Sequence, residues 1–373
     1  MSIPTAITPL TIIVRGFAFY AILAERIIMN AERLPSPEVD TDRIQFGFYW
    51  PKVVLENDEI ERWNATTASG KPLTAEKIEE ITGILRRYVA GPHETAFFMG
   101  GVAALHANGH QKVDNIFVTT TYGTNENIAK HISDDLGLDA EPLDVYEACA
   151  GFAGTLSYIK QNEGKFQNKD ILIVSTDTHQ ANVFDLKKDE GQKDPALSQT
   201  IFSDGATAIK FKYGRDLRIL AARDDELGFA EAIKLDAKDQ DRVQPYIVKP
   251  AAGIPISESG LIEQDGKTVF KAVSRKIPHL ILQAIQEANL KAKDVKFVIP
   301  HQPSIRVLQR LQDELSDQKL EVAFDITDGN FSSASIPKAM ATMMQSGDLR
   351  KGDIAVLAGF GAGLFASVAV VQF

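Results

Sequence analysis

A single cysteine, Cys149, stands among 373 residues. That scarcity excludes an intrachain disulfide framework and any CxxC metal site. Positive charge is also short: 50 acidic residues against 40 basic ones leave a formal net charge of −10, which argues against a nucleic-acid binder. A local basic patch for an anionic partner stays compatible with that balance. No uninterrupted membrane-length apolar run occurs. The stretch from Ile12 to Met29 comes nearest, but Arg15, Glu25 and Arg26 interrupt it and no basic region precedes it. It is expected to be an N-terminal structural element, not a signal or membrane anchor, with the cytoplasm as the default compartment. Neither a strand–GxGxxG–helix unit nor GxxxxGK followed by Ser or Thr is present, which excludes a nucleotide-cofactor enzyme. What remains, at 44% hydrophobic and 24% charged residues, is an ordinary globular composition with ample core.

The chain echoes itself. Strand-like Asn115-Ile-Phe-Val-Thr119 is matched by Val295-Lys-Phe-Val-Ile299. Cys149 follows Val118 by 31 residues, and Asn330 follows Val298 by 32; each lies five positions after an aspartate, Asp144 or Asp325. A helix of small and apolar residues comes next in both places, then a second strand, Asp170–Ser175 or Asp353–Ala358. Each half closes on a strand containing Ala, Gly205–Phe211 or Ala366–Phe373. Two such strand–helix–strand halves imply right-handed crossovers and largely buried sheets covered by helices. Packed about a pseudo-twofold axis, they would bring two helix N-termini to one crevice. Between them, charged Arg215 to Asp265, with Pro245, Pro250 and Pro255, is expected to form loops and a cap, and residues 185–199 a solvated surface loop.

Cys149 sits between an extended run, Leu143 to Tyr146, and a helical stretch, Thr155 to Gln161, in a turn of small residues. At a helix N-terminus the partial positive charge of unpaired N–H groups favours thiolate over thiol. The alternative is a cysteine that is simply a buried apolar residue. His301, in Phe297-Val-Ile-Pro-His301-Gln-Pro-Ser304, lies at the C-terminal end of a buried-strand pattern, where α/β folds place ligand contacts. Such a histidine is otherwise structural, and the duplication is what points it at the crevice of Cys149. His93, His106, His110, His131, His179 and His279 have no comparable setting and receive no role. Asn330 lies in Asp328-Gly-Asn330-Phe-Ser-Ser-Ala-Ser335, again a turn opening a helix. It gains a function only by its pairing with Cys149. The Gly359-Phe-Gly-Ala-Gly363 segment can bring backbone N–H groups close to a reacting oxygen.

Ordered motifs then carry a resemblance from roughly Phe48 to Phe373: Tyr49-Trp-Pro51 with Asn57, Thr82-Gly-Ile84, Gly91-Pro-His-Glu-Thr95, Glu147-Ala-Cys149-Ala-Gly-Phe152, Phe202-Ser-Asp-Gly-Ala206, Pro300-His-Gln302, Gly329-Asn330 with Ser332 to Ser335, and Gly359-Phe-Gly-Ala-Gly363. The chain resembles the ketoacyl-acyl-carrier-protein synthase III family of thiolase-fold condensing enzymes. The resemblance implies an α/β thiolase fold of two duplicated halves in a five-layer αβαβα arrangement. The halves are expected at 1–214, with an N-terminal extension of about 1–40, and at 215–373. It also implies a ping-pong reaction. Cys149 takes an acyl group from a thioester, and backbone N–H groups of Cys149 and Ala362 hold the oxyanion. His301 and Asn330 donate hydrogen bonds to the carbonyl of a second, malonyl-like or 3-oxoacyl thioester. Phosphopantetheine or coenzyme A thioesters, an acyl carrier protein partner, a homodimer, and no metal or further cofactor follow from the same resemblance. Asp204 is expected to be structural.

Arg306 and Arg310, one helical turn apart, form either a carrier-docking face or a plain solvated one. The family's coenzyme A clamp, a tryptophan and an arginine, falls near Lys77 and Ile81 here; Phe331 replaces a threonine. Glu147, two residues before the cysteine, is either an accessory base or a helix cap. These departures and the N-terminal extension point to a specialised branch, of the dialkylresorcinol, pyrone or olefin type. An acyltransferase forming esters or amides on the same scaffold, a non-catalytic partner subunit, and more distantly a thiol protease are the competing readings.

Overall fold

The computed structural model describes residues 44–62, 66, 70–91, 93–109, 111–121, 127–179, 200–228, 232–236, 256–257 and 263–373. The expectations for Ile12 to Met29, for the extension at 1–40 and for the loop at 185–199 lie outside the described residues.

Two sheets repeat one plan. In chain order the first half holds β1 (Gln45–Tyr49), β2 (Val53–Glu56), β3 (Arg86–Val89), β4 (Asn115–Thr119), β5 (Glu141–Val145), β6 (Asp170–Asp177) and β7 (Gly205–Lys212). Strands β2 and β3 pair with one another, and the others form a sheet in the order β5-β4-β6-β7-β1. The second half adds β8 (Arg218–Glu226), then β9 (Ile233–Asp236), β10 (Ile256–Ser257) and β11 (Glu263–Gln264) as a small sheet, then β12 (Phe297–Pro300), β13 (Ile354–Gly361) and β14 (Phe365–Gln372). Its main sheet runs β12-β13-β14-β8. Val118 pairs in parallel with Val174 as Val298 does with Val356, and β6–β7 is antiparallel as β13–β14 is. The outer antiparallel strand is β1 in one sheet and β8 in the other.

Strand β8 corrects the expectation of loops and a cap from Arg215 onward. Its charges, Arg218, Arg223, Asp224, Asp225 and Glu226, masked a nine-residue strand at the sheet edge. An edge strand needs only one covered flank and tolerates charge along its length. The matched landmarks also need correcting. Asp144 pairs with Val118, but the residue bridged to Val298 is Val322, not Asp325. From there the first half reaches the turn at Cys149 in five residues and the second half reaches its counterpart, Ser333, in eleven. Asn330 lies in the extra length and is therefore not the positional equivalent of the cysteine.

Seven helices of eight residues or more are described: α1 (Ala75–Thr82), α2 (Ala96–Asn108), α3 (Ile128–Asp135), α4 (Gly151–Gln161), α5 (Gly266–Glu287), α6 (Ile305–Leu315) and α7 (Ser335–Ser346). Helices α2 and α3 cover the outer face of the first sheet, and α5 with α6 the outer side of the second. Helices α4 and α7 lie between the sheets, giving five layers in αβαβα order. Position explains composition. Gly151 through Ser157 of α4 are all buried, because an inner helix meets a sheet on each side. Outer α6 instead buries a stripe of Leu308, Leu311 and Leu315. Phe152, Leu156 and Ile159 join Phe117, Ile173, Ile336, Met340 and Leu357 in the inter-sheet core; each such side chain contributes about 1.5–3 kcal/mol by leaving water. Among the described residues no helix is long and apolar enough to cross a membrane.

Candidate active site

Strand β5 ends at Val145, and a tight 3-10 turn, Ala148–Ala150, leads into α4. Ala148 takes φ of +46° to make that turn; Ser332, opening the matching turn before α7, takes +51°. Left-handed backbone costs a residue with a Cβ roughly 1–2 kcal/mol, and such strain collects at functional sites. The two turns pack together where the halves meet. Strand β13 runs beside the first of them, and its glycines make the approach possible. A Cβ on Gly361 would lie 2.8 Å from Cys149 Cβ and 3.0 Å from its backbone nitrogen, and one on Gly359 would lie 2.9 Å from Ala150 Cα.

Cys149, His301 and Asn330 line one cavity of ≈ 50 Å³, with Thr121, His179, Phe202, Phe360 and Ala362 also on its walls. That is room for a few water molecules. His301 follows the last residue of β12, its N–H donating to the Ala358 carbonyl at 2.8 Å. Ser335 Oγ stands 2.8 Å from its Nδ1 and fixes the ring, leaving Nε2 for a ligand. The backbone of Asn330 is pinned on both sides: its N–H donates to Ile201 O at 2.8 Å, and its carbonyl accepts from Ser203 N at 2.9 Å. Its Oδ1 accepts from Ser332 N at 2.8 Å, so the side-chain NH₂ is the group left to face a ligand.

Burial dominates the electrostatics. It pushes the His301 imidazole down to about 3, helped by the nearby His179, so the ring is neutral at physiological pH. The same desolvation pushes the Cys149 thiol up to about 12, despite a hydrogen bond from Ser332 Oγ at 3.4 Å. The thiolate expected from the helix N-terminus is thus not the resting form. Removing charge from water costs more here than one turn of aligned dipoles returns.

His179, given no role from sequence, lines the same cavity. It stands just past β6, its ring 4.4 Å from that of Phe202 and its Nε2 3.4 Å from Thr121 Oγ1. The signal that finds it is the one used for His301: a histidine beyond the C-terminal end of a buried strand.

Residues 285–373 match the family model described as 3-oxoacyl-acyl-carrier-protein synthase III C terminal. The β-ketoacyl-acyl-carrier-protein synthase III of Clostridium perfringens (strain SM101 / Type A) is 26% identical over 347 residues, 88% of this chain and 98% of that one. That of Staphylococcus saprophyticus is 29% identical over 330 residues, 86% and 94%. Among solved structures, the priming β-ketosynthase from the R1128 polyketide biosynthetic pathway superimposes with a TM-score of 0.68 at 27% identity, covering 88% of this chain and 95% of that one. Over most of its length the chain is similar to the ketoacyl-acyl-carrier-protein synthase III family. Its two-sheet, five-layer architecture is the thiolase fold of that family.

The other expected site residues lie elsewhere. Glu147 does not line the cavity and its side chain caps no helix. Its carboxylate is buried in the space left by Gly154, where a Cβ would come within 1.6 Å of Oε2. Desolvation, and then Asp224 nearby, push it up to about 8. Asp224 itself accepts from Ser157, Gln161 and Ser367. Arg306 and Arg310 lie on the exposed side of α6, each paired with a carboxylate, Glu80 at 3.1 Å and Glu314. Phe331 packs beneath the site against Trp50, ring centroids 4.7 Å apart. Lys77, on α1, is exposed and paired with Glu80 at 2.6 Å, and Ile81 lies one turn on. Buried Asp204 accepts from Ala90 N at 2.8 Å, a structural contact. Among the described residues no group of three or more His, Cys, Asp or Glu side chains is arranged to hold a metal ion.

Two outcomes follow. Gly361 has φ of −171°, an extended backbone open to any residue, so Gly361→Ala tests contact with Cys149 alone. It is expected to cut the rate of Cys149 modification about 100-fold with the circular dichroism spectrum unchanged. The folded Glu147 carboxyl keeps its proton up to about pH 8, whereas an unfolded one loses it near its ordinary value of 4.5. Between those values the folded state binds more protons, so stability falls as pH rises. Glu147→Gln removes that slope: denaturant titration should show little change at pH 5 and a gain on the order of 3 kcal/mol at pH 8.

Proposed function

We propose that this chain is an acyl-thioester condensing enzyme that joins an acyl group held on Cys149 to the carbon of a decarboxylated malonyl-type thioester. The observation that carries the reading is the convergence of one sulfur, one neutral imidazole and one carboxamide on a single buried cavity, from both halves of the fold. The first step is attack of Cys149 Sγ on the acyl carbonyl. The carbonyl oxygen becomes an oxyanion between the backbone N–H groups of Cys149 and Ala362. The old C–S bond breaks, and the departing thiol takes the proton that Cys149 gave up.

In the second step the malonyl-type thioester loses carbon dioxide, and the electron pair of the broken C–C bond becomes an enolate. His301 Nε2–H and Asn330 Nδ2–H donate to the enolate oxygen. A neutral pair suits this work, because in a dry cavity a full positive charge would bind the carboxylated ground state as strongly as the enolate. The enolate carbon then attacks the acyl-Cys149 carbonyl, the sulfur leaves, and a proton from solvent restores the thiol. No metal or organic cofactor beyond the thioesters takes part.

The departures at Lys77, Ile81 and Phe331 favour a specialised branch and a carrier-bound donor over a coenzyme A ester held in the family's usual way. A carrier docking at Arg306 and Arg310 has to exchange its own acids for Glu80 and Glu314; both pairs are exposed, and exposed pairs are weak. A homodimer is the family's usual assembly, and two halves at 1–214 and 215–373 suit the strand order seen here.

Intact-mass analysis with a panel of acyl thioesters tests the reading. A mass increase localised to Cys149 and lost in Cys149→Ala is expected. His301→Ala and Asn330→Ala should each keep the mass increase while condensation and carbon dioxide release fall about 100-fold or more. Acyl transfer to an alcohol or amine with no carbon dioxide released would instead make the chain an ester- or amide-forming relative.

A further inference from the structure

The sulfur of Cys149 is joined by hydrogen bonds to a buried imidazole other than His301. Ser332 Oγ lies 3.4 Å from Cys149 Sγ, Thr121 Oγ1 lies 3.0 Å from Ser332 Oγ, and His179 Nε2 lies 3.4 Å from Thr121 Oγ1. Beyond His179 stands Asp177, whose Oδ2 is 3.8 Å from the same Nε2. Asp177 is itself held in place, its Oδ1 accepting from Thr120 Oγ1 at 3.0 Å and from Thr121 N at 2.6 Å. Thr121, Asp177, His179 and Ser332 are all buried. Among the described residues no hydrogen bond joins His301 to Cys149; its Nδ1 is engaged by Ser335 instead.

We propose that His179, acting through Thr121 and Ser332, takes up the proton of Cys149 as the thioester is attacked and returns it to the departing thiol. The proposal rests on the reading of Cys149 as the acyl acceptor. The proton balance is closed. The Ser332 hydroxyl, which donates to Cys149 Sγ at rest, first turns to donate to Thr121 Oγ1. Cys149 S–H then gives its proton to Ser332 Oγ, Ser332 passes its own to Thr121 Oγ1, and Thr121 passes its own to His179 Nε2. The freed sulfur pair forms the bond to the acyl carbon while the old C–S bond breaks. The same three transfers then run toward the leaving sulfur. A hydroxyl relay suits this crevice, because each oxygen both donates and accepts, and no ion has to cross the cavity. The imidazolium forms with Asp177 beside the nitrogen that received the proton.

The arrangement divides the labour between two imidazoles. His301 stays neutral as a hydrogen-bond donor, and a proton on His179 reinforces that by repulsion. Burial lowers the His179 imidazole, so it rests neutral and able to accept a proton. The titratable groups facing it are Asp177, which favours its charged form, and His301 across the cavity, while Cys149 is reached through the hydroxyls. His179 is thus a positioning residue for the proton, not a group that bonds the substrate.

The test is the rate of Cys149 alkylation by iodoacetamide and of acylation by an acetyl-pantetheine thioester, measured on the full chain from pH 6 to pH 10. His179→Gln, Ser332→Ala and Thr121→Val should each slow both reactions about 100-fold at pH 7. The deficit should shrink as pH rises and hydroxide replaces the relay. The His179→Gln/Thr121→Val double variant should be no slower than either single one, since links of one chain do not add. Thr121→Val keeps the shape of its side chain, so its melting temperature should stay near the parent's and separate a lost proton path from a lost fold. Parental rates for His179→Gln at every pH, or additive losses in the double variant, overturn the relay. Alkylation reads the relay alone and acylation reads the function as well. A parent protein that alkylates in the relay-dependent pattern yet takes up no acyl group supports the relay and contradicts the condensing function.

Discussion

Close approach between strand β13 and the turn of Cys149 is the contact on which the site depends. Gly359 and Gly361 present no side chain toward Ala150 and Cys149, and nothing larger fits without moving one or the other. That contact joins the halves: the cysteine comes from the first, the strand from the second. It also sets the distance from Cys149 to Ala362, one residue past the strand end. The left-handed Ala148 and Ser332 are held in place by this packing, and each opens a turn that leads into an inter-sheet helix, α4 or α7. Stability of the inter-sheet core and geometry of the site are therefore one property seen twice.

Burial then decides the chemistry. Desolvation holds the Cys149 thiol, the His301 imidazole and the Glu147 carboxyl in their uncharged forms. In the proposed condensation that state suits His301, a donor that does not tighten on a negatively charged ground state. For Cys149 the same reading makes it an obstacle, since a reacting thiolate needs somewhere to put its proton. The proposed relay through the buried hydroxyls of Ser332 and Thr121 to the His179–Asp177 pair answers that need. Glu147, though near Cys149 in sequence, is turned toward Gly154 and Asp224 and touches none of this.

Much of the architecture is legible in the sequence because buried strands leave near-continuous apolar runs. Asn115–Thr119 can be read to the residue, and β6, β7, β13 and β14 to within a few positions. His301 is legible because it follows such a strand, and Cys149 because it is the single cysteine, set in a turn of small residues before a helix. What the sequence hides has physical reasons. Strand β8 is an edge strand whose charges read as loop. Asn330 reaches the cavity from a longer connection, so equal spacing from a valine leads to a cavity-lining residue for a reason the register does not support. The direction of Glu147 depends on the niche at Gly154, two helical turns away, which no local pattern records. His179 shares the strand-end signal of His301, but a lone histidine becomes informative only when Thr121 and Ser332, distant in sequence, are seen against it.

The central claim is that one sulfur carries the acyl group and that the carbon nucleophile is made in the same cavity. A single-turnover experiment measures this most directly: acyl-enzyme labelled with ¹³C in the acyl group is isolated and then given a malonyl thioester alone. The account predicts that the mass increase leaves Cys149 as one carbon dioxide and one labelled 3-oxoacyl thioester appear per acylated chain. Label that stays on the protein, or departs as free acid with no new carbon–carbon bond, would contradict it.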